Sequence, residues 1–388
     1  MIIAFGHPDN VFSLSAHLSQ KTDLTLVYVL SGKTYQSGIL SLELNDGSYG
    51  LHTNSSFFKA NFPKTVVDFV GDNHKVWVLK IPSLKLLNLN NLKIYLDAVK
   101  KLRRENFDIV HYNGFSPFIY LFYLGLKKRA AQFWTLHDYK HHSGEKKVVA
   151  ERINHQLARL KDLTVIQHYE YLRKKVIEAF TLPPAKVRTL LSGPLDIFNS
   201  FPAKYDLCPS QDYILFFGRI SRYKGVDLLL EAYHQIEMKK PQLIIAGKGE
   251  FWFDTTPYLA DPNILFINKY IGNEELIGLI ERSKFVVVPY RDATHSAVIA
   301  TAYALNKPVV ASDVDGLKEV VFDHRTGRLV TPNSPEQLRV ALEQLIQNPR
   351  DIDAYTANIV QEKETGKIAW NTITDHYLDL YAERLNQQ

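Results

Sequence analysis

The alternation of short apolar runs with helical patterns along the chain is the feature that most restricts its fold. Parallel strands need a crossover between them, and that crossover is usually a helix, so this alternation predicts βα units and largely parallel sheets. In the first half, strands are predicted at residues 2–5, 24–30, 75–81, 108–112, 131–136, 163–167 and 187–191, and helices at 92–104 and 151–160. Residues 38–70 lack a clear period and predict irregular or hairpin structure.

A stretch rich in Pro, Gly and Ser interrupts this pattern between residues 191 and 210, and we interpret it as a hinge. Beyond it, strands are predicted at 213–217, 242–246, 264–267, 285–288 and 309–311, and helices at 226–237, 273–282, 297–305 and from Pro335, with Ser334 as N-cap. A chain of 388 residues, at about 150 per domain, predicts two domains. We assign 1–200 to an N-terminal Rossmann-like domain, 201–370 to a C-terminal Rossmann-like domain, and 371–388 to a helix that packs back on the body.

The cysteine content and the first residues indicate the compartment. One cysteine, Cys208, excludes an internal disulfide and a thiolate metal cluster, which favours a reducing, cytoplasmic environment. Met1 to Gly6 has no basic leader and is predicted as the first strand. The apolar segment 115–126 is too short to cross a membrane.

Charge is divided unevenly along the chain. Residues 1–200 contain 26 Lys and Arg against 16 Asp and Glu, a net +10, whereas the rest contain 20 against 25, a net −5. Basic clusters at 100–104, 127–129 and 173–175 all fall in the first half. Each cluster alone is typical of a solvated helix face, but together they favour an anionic partner, either a phospholipid surface or an acidic acceptor. Nucleic acid is disfavoured because no recognised binding module accompanies the charge.

A strand that ends in glycine provides the clearest candidate site. Gly218 and Arg219 follow the strand at 213–217, and Lys224-Gly225 precede the next helix. Ligands of doubly wound sheets bind beyond the carboxyl ends of strands, which predicts a phosphate beside Arg219 and Lys224. Both cations stabilise the charge that develops on a diphosphate leaving group. A turn whose basic residues face water is the alternative.

The motifs that follow resemble the family 4 glycosyltransferases, retaining enzymes with the GT-B fold. The resemblance is good over 211–332 and loose over the first half. It is carried by Gly218-Arg219 with Lys224-Gly225 and by the segments 227–232, 243–249, 286–290, 302–311, 316–320 and 326–330. It implies an α/β protein of GT-B architecture, with two facing Rossmann-like domains and a cleft between them. The domain at 1–200 would be the acceptor domain, and the domain at 201–370 would be the donor domain.

The resemblance also implies the site residues. The donor would be a nucleoside diphosphate sugar, a UDP-sugar or a GDP-sugar, with no other cofactor and no metal. The implied donor-binding residues are Gly6, Gly218, Arg219, Lys224, Gly247, Tyr270, Ile271, Ser296, Ala297, Val298 and Thr301, and the implied catalytic residues are His137, Arg219 and Lys224. We expect the loop 268–272 to select the base. Gly6 stands where the family usually has a glycine-rich loop against the donor phosphates, and it is the one glycine of the segment 6–10.

Two positions depart from the family pattern. The family usually has two glutamates eight positions apart, associated with the donor sugar and the ribose hydroxyls, and here Ala293 and Thr301 occupy those positions. Some bacterial members resemble this chain in having a Ser-Gly pair and no glutamates, and the pair here is Ser296-Ala297.

Nearby polar groups are candidates for the missing contacts. Ser296 begins a predicted helix, and its hydroxyl and the N–H groups of Ala297 and Val298 are placed to bind a phosphate or sugar oxygen. Asp292 and His295 are alternative sugar contacts, although each is equally well explained as a loop residue.

In the first half, the segment 134–138 resembles the strand-end histidine of the family. We therefore assign His137, Asp138 and His168 to the acceptor, since a histidine with a near-neutral pKa suits contact with either sugar. A histidine packed at a strand end is the alternative for His137. The segment 139–145 has no carboxylate spacing suited to a metal and is predicted to be an acceptor loop.

The expected function is transfer of a sugar, with retention of configuration, to a hydroxyl of a glycan or lipid-linked acceptor during bacterial surface polysaccharide synthesis. The enzyme would work in the cytoplasm, peripherally at the inner face of the membrane. A non-catalytic GT-B accessory or sugar-binding subunit is the alternative from another class, favoured by the missing glutamates. Another GT-B chemistry, such as phosphorolysis or epimerisation, is a third interpretation.

Overall fold

The structure is a computed structural model that describes residues 1–44, 48–72, 74–83, 89–139, 148–293 and 295–387, without the side chains of Leu89 and Val148. The chain divides into two compact units. The first contains Met1–Tyr139, Lys147–Gly193 and Trp370–Gln388, and the described part of the second is Pro194–Ala369. The boundary follows Gly193, whereas the sequence analysis puts it after residue 200.

Each unit is built on a sheet of buried, mainly parallel strands. Those of the first unit are β1 Ile2–Ala4, β2 Thr25–Ser31, β3 Thr34–Ser37, β4 Leu40–Glu43, β5 Gly50–His52, β6 Lys75–Ile81, β7 Ile109–Asn113, β8 Ala131–Thr135, β9 Leu163–Gln167 and β10 Val187–Thr189. Those of the second are β11 Tyr213–Phe217, β12 Gln242–Ala246, β13 Ile264–Ile267, β14 Val286–Val288, β15 Val309–Ser312 and β16 Gly327–Val330.

Helices connect the strands in both units. The helices of the first unit are α1 Pro8–Leu18, α2 Ser55–Asn61, α3 Lys64–Val70, α4 Leu89–Leu102, α5 Ile119–Leu126, α6 Val148–Ala158 and α7 Glu170–Phe180. Those of the second are α8 Val226–His234, α9 Thr256–Leu259, α10 Asn273–Arg282, α11 Ala297–Ala304, α12 Pro335–Gln347 and α13 Pro349–Thr365, and α14 Trp370–Leu385 returns to the first unit. Among the described helices, none is long and apolar enough to span a membrane.

The order of the strands reverses once in each sheet. In the described residues the first sheet runs β10-β9-β8-β7-β1-β2-β6-β5, with β5 antiparallel to β6, and the second runs β13-β12-β11-β14-β15-β16, all parallel. Strands β3 and β4 form a separate antiparallel hairpin. Because β1 lies beside both β2 and β7, and β11 beside both β12 and β14, the connections leave in opposite directions at these strands. Such switch points leave a crevice at the carboxyl ends of the strands.

The last helix packs on the first unit around a buried histidine. His111 on β7 lies 2.6 Å from the hydroxyl of Tyr381 on α14 through Nδ1, and 2.7 Å from Thr135 Oγ1 through Nε2. The rings of His17 and Trp370 stack at 5.0 Å at the other end of the helix. The buried face of α14 includes Ile373, Tyr377, Leu380 and Tyr381, so the predicted packing of this helix on the body is confirmed.

Most predicted elements are confirmed, and the differences have local causes. The segment 38–70 contains the end of a hairpin and also α2 and α3, which were not predicted because their apolar residues are too few for a clear period. Helices α1, α5, α7 and α13 and strand β16 were also not predicted. Ser334 caps α12 as predicted, since its hydroxyl accepts from the N–H of Gln337 at 3.2 Å.

Because its imidazole is buried, His111 should make the protein less stable as the pH falls below about 6.5. Burial, and secondarily the nearby amino terminus, lowers the pKa of His111 from 6.5 to about 3. Between these values the unfolded chain binds a proton that the folded chain does not, so the free energy of unfolding decreases as the pH falls, by about 1.4 kcal/mol per pH unit. In His111→Gln, the decrease between pH 6.5 and 5 should be smaller by about 2 kcal/mol, as measured by urea unfolding.

The matched control is Tyr381→Phe, which removes a hydrogen bond to the same imidazole and leaves its titration in place. This variant should be less stable at every pH and should keep the slope of the wild-type chain. Parallel stability curves for wild type and His111→Gln would contradict the prediction.

Candidate functional site

Two glycines shape the turn that follows β11. Gly218 has φ +115°, and a Cβ there would lie 3.1 Å from Nζ of Lys224. Gly225 has φ +67°, and a Cβ there would lie 2.0 Å from the carbonyl oxygen of Pro289, which follows β14. The turn therefore packs directly on the neighbouring strand end, and only glycine allows this approach without strain.

Lys224 is a buried ammonium at the centre of this turn. Its side chain donates a hydrogen bond of 2.8 Å to the hydroxyl of Tyr290 and lies 4.7 Å from the centre of the same ring. Within the part of the chain that the structure describes, Lys224 has no ion-pair partner. Burial lowers the pKa of Lys224, and Arg219 adds to this while Tyr223 opposes it. A buried cation without a carboxylate is typical of a site that receives an anion.

Arg219 lies at the surface beside this lysine. Its guanidinium carbon is 5.9 Å from the centre of the Tyr223 ring. Nζ of Lys224 lies 5.8 Å from the centre of the same ring, so both predicted phosphate-binding cations lie near one aromatic side chain.

An ion pair holds the turn in place. Arg291 forms two hydrogen bonds of 2.7 Å with the carboxylate of Asp227 at the start of α8. The same guanidinium donates to the carbonyl of Arg222 at 3.0 Å, and the backbone N–H of Arg291 donates to the carbonyl of Tyr223 at 2.7 Å. Two segments distant in sequence are therefore tied together around Lys224.

A pocket of about 520 Å³ opens beside this turn. It is lined by Phe217, Gly218, Arg219, Ile220, Ala246, Gly247, Lys248, Gly249, Tyr270, Ile271 and Leu276. Its walls are mostly apolar, which suits a flat ring, and the predicted base loop supplies Tyr270 and Ile271. Gly247 is required because a Cβ there would lie 2.0 Å from the carbonyl oxygen of Gly218. Asn268 closes the loop with two hydrogen bonds to the backbone of Gly249, at 3.0 and 3.1 Å.

The first turn of α11 also reaches Gly218. A Cβ at Gly218 would lie 3.6 Å from Cγ2 of Val298. Ser296 is the N-cap, its hydroxyl accepts from the N–H of Ile299 at 3.3 Å, and it is also hydrogen-bonded to Tyr290. The predicted hydroxyl is therefore already used within the protein, whereas Ala297 is exposed at the helix start.

The two positions without glutamate have different surroundings. The hydroxyl of Thr301 donates to the carbonyl of Ala297 at 2.8 Å. The N–H of Ala293 donates to the carboxylate of Asp315 at 2.8 Å, so a carboxylate from the end of β15 lies beside the first vacant position. Asp292 and His295 lie in the loop between β14 and α11, half-buried.

Three histidines come together at the carboxyl end of the first sheet. The rings of His7 and His137 stack at 4.0 Å, and His168 lies 5.0 Å from His137. Because a carbonyl only accepts, Nδ1 of His168 carries the proton that is donated to the carbonyl of Leu190 at 3.1 Å. Its Nε2 then accepts from Nδ1 of His137 at 3.3 Å, and Nε2 of His137 lies 2.8 Å from Oδ1 of Asn113, which as a carbonyl oxygen also only accepts.

Burial separates the roles of these histidines. His137 and His168 are buried, and burial lowers the pKa of His168 to about 4, so this imidazole is neutral near pH 7. His7 is exposed and covers His137, with its backbone in the left-handed region at φ 50°. Gly6 precedes it at φ +120°, and a Cβ there would meet no atom within 4 Å. The predicted acceptor residue Asp138 is half-buried, and its carbonyl accepts from Asn154 at 3.1 Å.

Of the predicted acceptor loop 139–145, residues 140–145 lie outside the described residues. In the described ranges, no group of three or more His, Cys, Asp and Glu side chains is arranged to hold a metal ion.

Comparisons with known proteins indicate the class to which this geometry belongs. The chain aligns over its whole length with a sucrose-phosphate synthase from Thermosynechococcus elongatus, with a TM-score of 0.69, 17% identity and coverage of 100% and 99% of the two chains. It aligns equally fully with Anabaena HepE in complex with UDP-glucose, with a TM-score of 0.65, 15% identity and the same coverage. The chain therefore has the GT-B fold, with two Rossmann-like units, as predicted.

The second unit contains the more specific similarity. Residues 211–348 match the family model described as glycosyl transferases group 1. An uncharacterised glycosyltransferase of Methanocaldococcus jannaschii is 26% identical over 56% of this chain and 59% of its own length. A D-inositol 3-phosphate glycosyltransferase of Nocardioides is 26% identical over 54% of this chain and 51% of its own length. The chain thus spans about half the length of the curated relatives it matches.

The structure brings the predicted residues together in two groups, one in each unit. Gly218, Arg219, Lys224, Gly247, Tyr270, Ile271 and the start of α11 surround the turn after β11, and Gly6, His137, Asp138 and His168 lie at the carboxyl edge of the first sheet. Six further residues belong to these groups and are absent from the predicted site residues: His7, Asn113, Asp227, Tyr290, Arg291 and Asp315. Four of these follow or end strands that flank the switch points, a signal that strand order alone reveals.

Replacing Gly225 should weaken the second unit strongly. In Gly225→Ala the new Cβ meets the carbonyl of Pro289 and the backbone must keep a left-handed φ, so we expect a loss of about 3 kcal/mol in the free energy of unfolding. The control is Gly272→Ala, where φ is −67° and the nearest contact is 3.7 Å away. Calorimetric unfolding should show a large shift for the first variant and a small one for the second. Equal shifts would contradict this account of the turn.

Proposed function

We propose that the protein transfers a sugar from a nucleoside diphosphate sugar to a hydroxyl of a glycan or lipid-linked acceptor, with retention of configuration. The observation that carries the proposal is Lys224, a buried ammonium that no carboxylate of the described residues pairs with, in the turn after β11. A diphosphate would supply the missing negative charge. The pocket beside it, with its apolar walls, would hold the base and ribose.

The chemistry follows from the positions of the charges. As the bond between the sugar and the diphosphate breaks, Lys224 and Arg219 stabilise the negative charge that develops on the leaving phosphate. For retention without a protein nucleophile, the acceptor hydroxyl attacks from the face that the diphosphate leaves, and its proton passes to the departing phosphate oxygen. Asp315, which lies beside Ala293, is proposed to bind a hydroxyl of the donor sugar in place of the usual glutamate.

The histidines of the first unit are proposed to bind the acceptor. The hydrogen bonds from Leu190 through His168 place a proton on Nδ1 of His137, which His137 donates to His168. His7 is the ring of this group that solvent reaches and is the first to meet a hydroxyl. His168 is neutral near pH 7, so this imidazole adds no buried charge to the group.

The similarity to UDP and UDP-glucose complexes of Anabaena HepE supports a uridine donor, and GDP-sugars remain in the test because the pocket walls have few base-specific polar groups. The role in bacterial surface polysaccharide synthesis rests on the family resemblance. The comparisons do not favour a non-catalytic accessory subunit. Failure to bind any UDP-sugar or GDP-sugar, together with no hydrolysis of the donor, would indicate such a subunit.

Replacing Lys224 by methionine should have opposite effects on stability and on binding. The variant Lys224→Met removes a desolvated charge, so its free energy of unfolding should be equal to or higher than that of the wild type. Its affinity for UDP should fall about 10- to 100-fold, since a hydrogen bond to a charged group contributes about 1.5–3 kcal/mol. Calorimetry would measure both quantities. A donor screen with UDP-sugars and GDP-sugars would test turnover, and NMR of the product anomer would test retention. The double variant Arg219→Ala with Lys224→Ala should remain folded and form no product.

The matched control is Lys240→Met. Lys240 is half-buried and, like Lys224, lies near a tyrosine ring, at 4.3 Å, but its Nζ donates to the carbonyls of Tyr233 and Ile236. This variant should lose stability and keep its affinity for UDP. If Lys224→Met also loses stability and keeps UDP, Lys224 is structural and the proposal is wrong.

We also propose that the first unit binds an anionic membrane surface through α4 and α5. These helices pack together, with Tyr95 stacked on Phe118 at 4.1 Å. Their outer faces expose Leu92, Leu96 and Leu124, at 39%, 51% and 57%. The basic cluster 100–104 lies at the carboxyl end of α4, and the cluster 127–129 follows the carboxyl end of α5 directly. Apolar side chains beside a row of cations suit the interface of a bilayer with anionic lipid.

Vesicle co-sedimentation tests this surface. Wild-type protein should bind vesicles with anionic lipid, should release them as salt is raised, and should bind neutral vesicles weakly. Leu96→Glu with Leu124→Glu should reduce binding at least about tenfold, because two apolar contacts are lost and two negative charges face the lipid. Leu259→Glu, in the second unit at 64% exposure, is the control and should have no effect. Equal recovery with neutral and anionic vesicles would exclude the proposal.

A further inference from the structure

A second pocket, of about 200 Å³, lies in the first unit next to the histidine group. Its walls include Phe5, Val29, Tyr35, Tyr95, Phe115 and Phe118. Phe5 is followed directly by Gly6 and His7, and Phe115 follows the Gly114 turn that packs on the carbonyl of Phe5. The pocket therefore lies at the same switch point, between β1 and β7, as His7.

The polar groups in the wall of this pocket are already paired within the protein. The hydroxyl of Tyr35 lies 3.0 Å from that of Tyr28. Tyr95 is hydrogen-bonded to Ser116, whose hydroxyl also accepts from the N–H of Phe118 at 3.2 Å. A sugar ring in this pocket would lose hydrogen bonds with water and find few replacements. An apolar group would lose nothing and would bury the aromatic walls.

We propose that this pocket binds an apolar group of the acceptor, next to the hydroxyl that receives the sugar. This inference rests on the proposed function and narrows it, because it selects acceptors that have a hydrocarbon chain or an aromatic ring beside the reacting hydroxyl over purely hydrophilic glycans. His7 and the ring it covers then meet the hydroxyl while the apolar group enters among the aromatic walls.

The size of the pocket agrees with such a group. An apolar protein cavity of about 150 Å³ holds benzene, so about 200 Å³ accommodates one ring or a short branched chain. Phe115, at 38% exposure, forms the rim and leaves the pocket open to a longer chain.

The test uses the full chain without donor and measures binding of primary alcohols by ligand-observed NMR. From 1-butanol upward, affinity should rise by up to about fourfold per methylene and stop rising when the pocket is full. Glucose should bind at least tenfold more weakly than 1-hexanol. Benzyl alcohol distinguishes the two sources of the apolar group: binding tighter than 1-hexanol indicates a ring, and weaker binding indicates a chain.

Variants at the rim assign the binding to this pocket. Phe115→Asp should reduce the affinity for 1-hexanol at least fivefold, Phe115→Leu should retain it, and Val149→Asp, an exposed position of α6 in the same unit, should have no effect. The aspartate is placed at a surface position, and the melting temperature checks that the variant remains folded. If it does not, saturation transfer from aromatic protons of the wild type to 1-hexanol, competed by benzyl alcohol, gives the same information.

The outcomes separate this inference from the proposed function. Affinity that does not depend on chain length, glucose that binds as well as 1-hexanol, or unchanged binding in Phe115→Asp overturns the pocket while UDP binding at Lys224 persists. Failure of UDP binding in the wild type overturns the proposed function, and alcohol binding is measured independently of it.

Discussion

The buried ammonium of Lys224 is the interaction on which the second unit's site depends. A desolvated charge is costly, so the surrounding fold must hold it. Among the described residues, the Tyr290 hydroxyl accepts a hydrogen bond from it, and the rings of Tyr290 and Tyr223 lie 4.7 and 5.8 Å away. Gly225 lets the turn approach the Pro289 carbonyl, and the Asp227–Arg291 pair fixes that turn to the next strand end. The arrangement is unfavourable in the empty protein and becomes favourable when an anion arrives, which is the behaviour expected of a binding site.

The reversal of strand order explains why both candidate sites lie where they do. Connections leave β1 and β11 in opposite directions, so no crossover covers the carboxyl ends of these strands and their neighbours β7 and β14. At each of these places a glycine with positive φ follows the strand, Gly6 in one unit and Gly218 in the other. Both units thus have a glycine turn at a switch point of the sheet. Imidazoles lie near this turn in the first unit, and cations lie near it in the second.

The parts of the site that the sequence predicts are those encoded locally. A buried strand, a glycine and a nearby cation occur within a few residues, so Gly218, Arg219 and Lys224 are recognisable, as are Ser296 and His137 at the ends of predicted elements. The contacts of Asp227 with Arg291, and of Asp315 with Ala293, join residues far apart in the chain and require the strand order to be known. His7 is not recognisable for the same reason, since its stacking on His137 depends on β7 lying beside β1 and on β8 lying beside β7.

The two faces of α4 connect the apolar pocket with the proposed membrane surface. Tyr95 on the inner face helps to form the pocket, whereas Leu92 and Leu96 on the outer face remain exposed with cations in the next turn. A globular helix normally buries its apolar residues on one stripe, so leucines exposed beside that stripe need another explanation. An amphiphilic acceptor supplies it: the lipid surface would cover the outer leucines, and the apolar group next to the hydroxyl would enter the pocket a few residues away. The same helix would then select the acceptor and bring the protein to the surface where that acceptor resides.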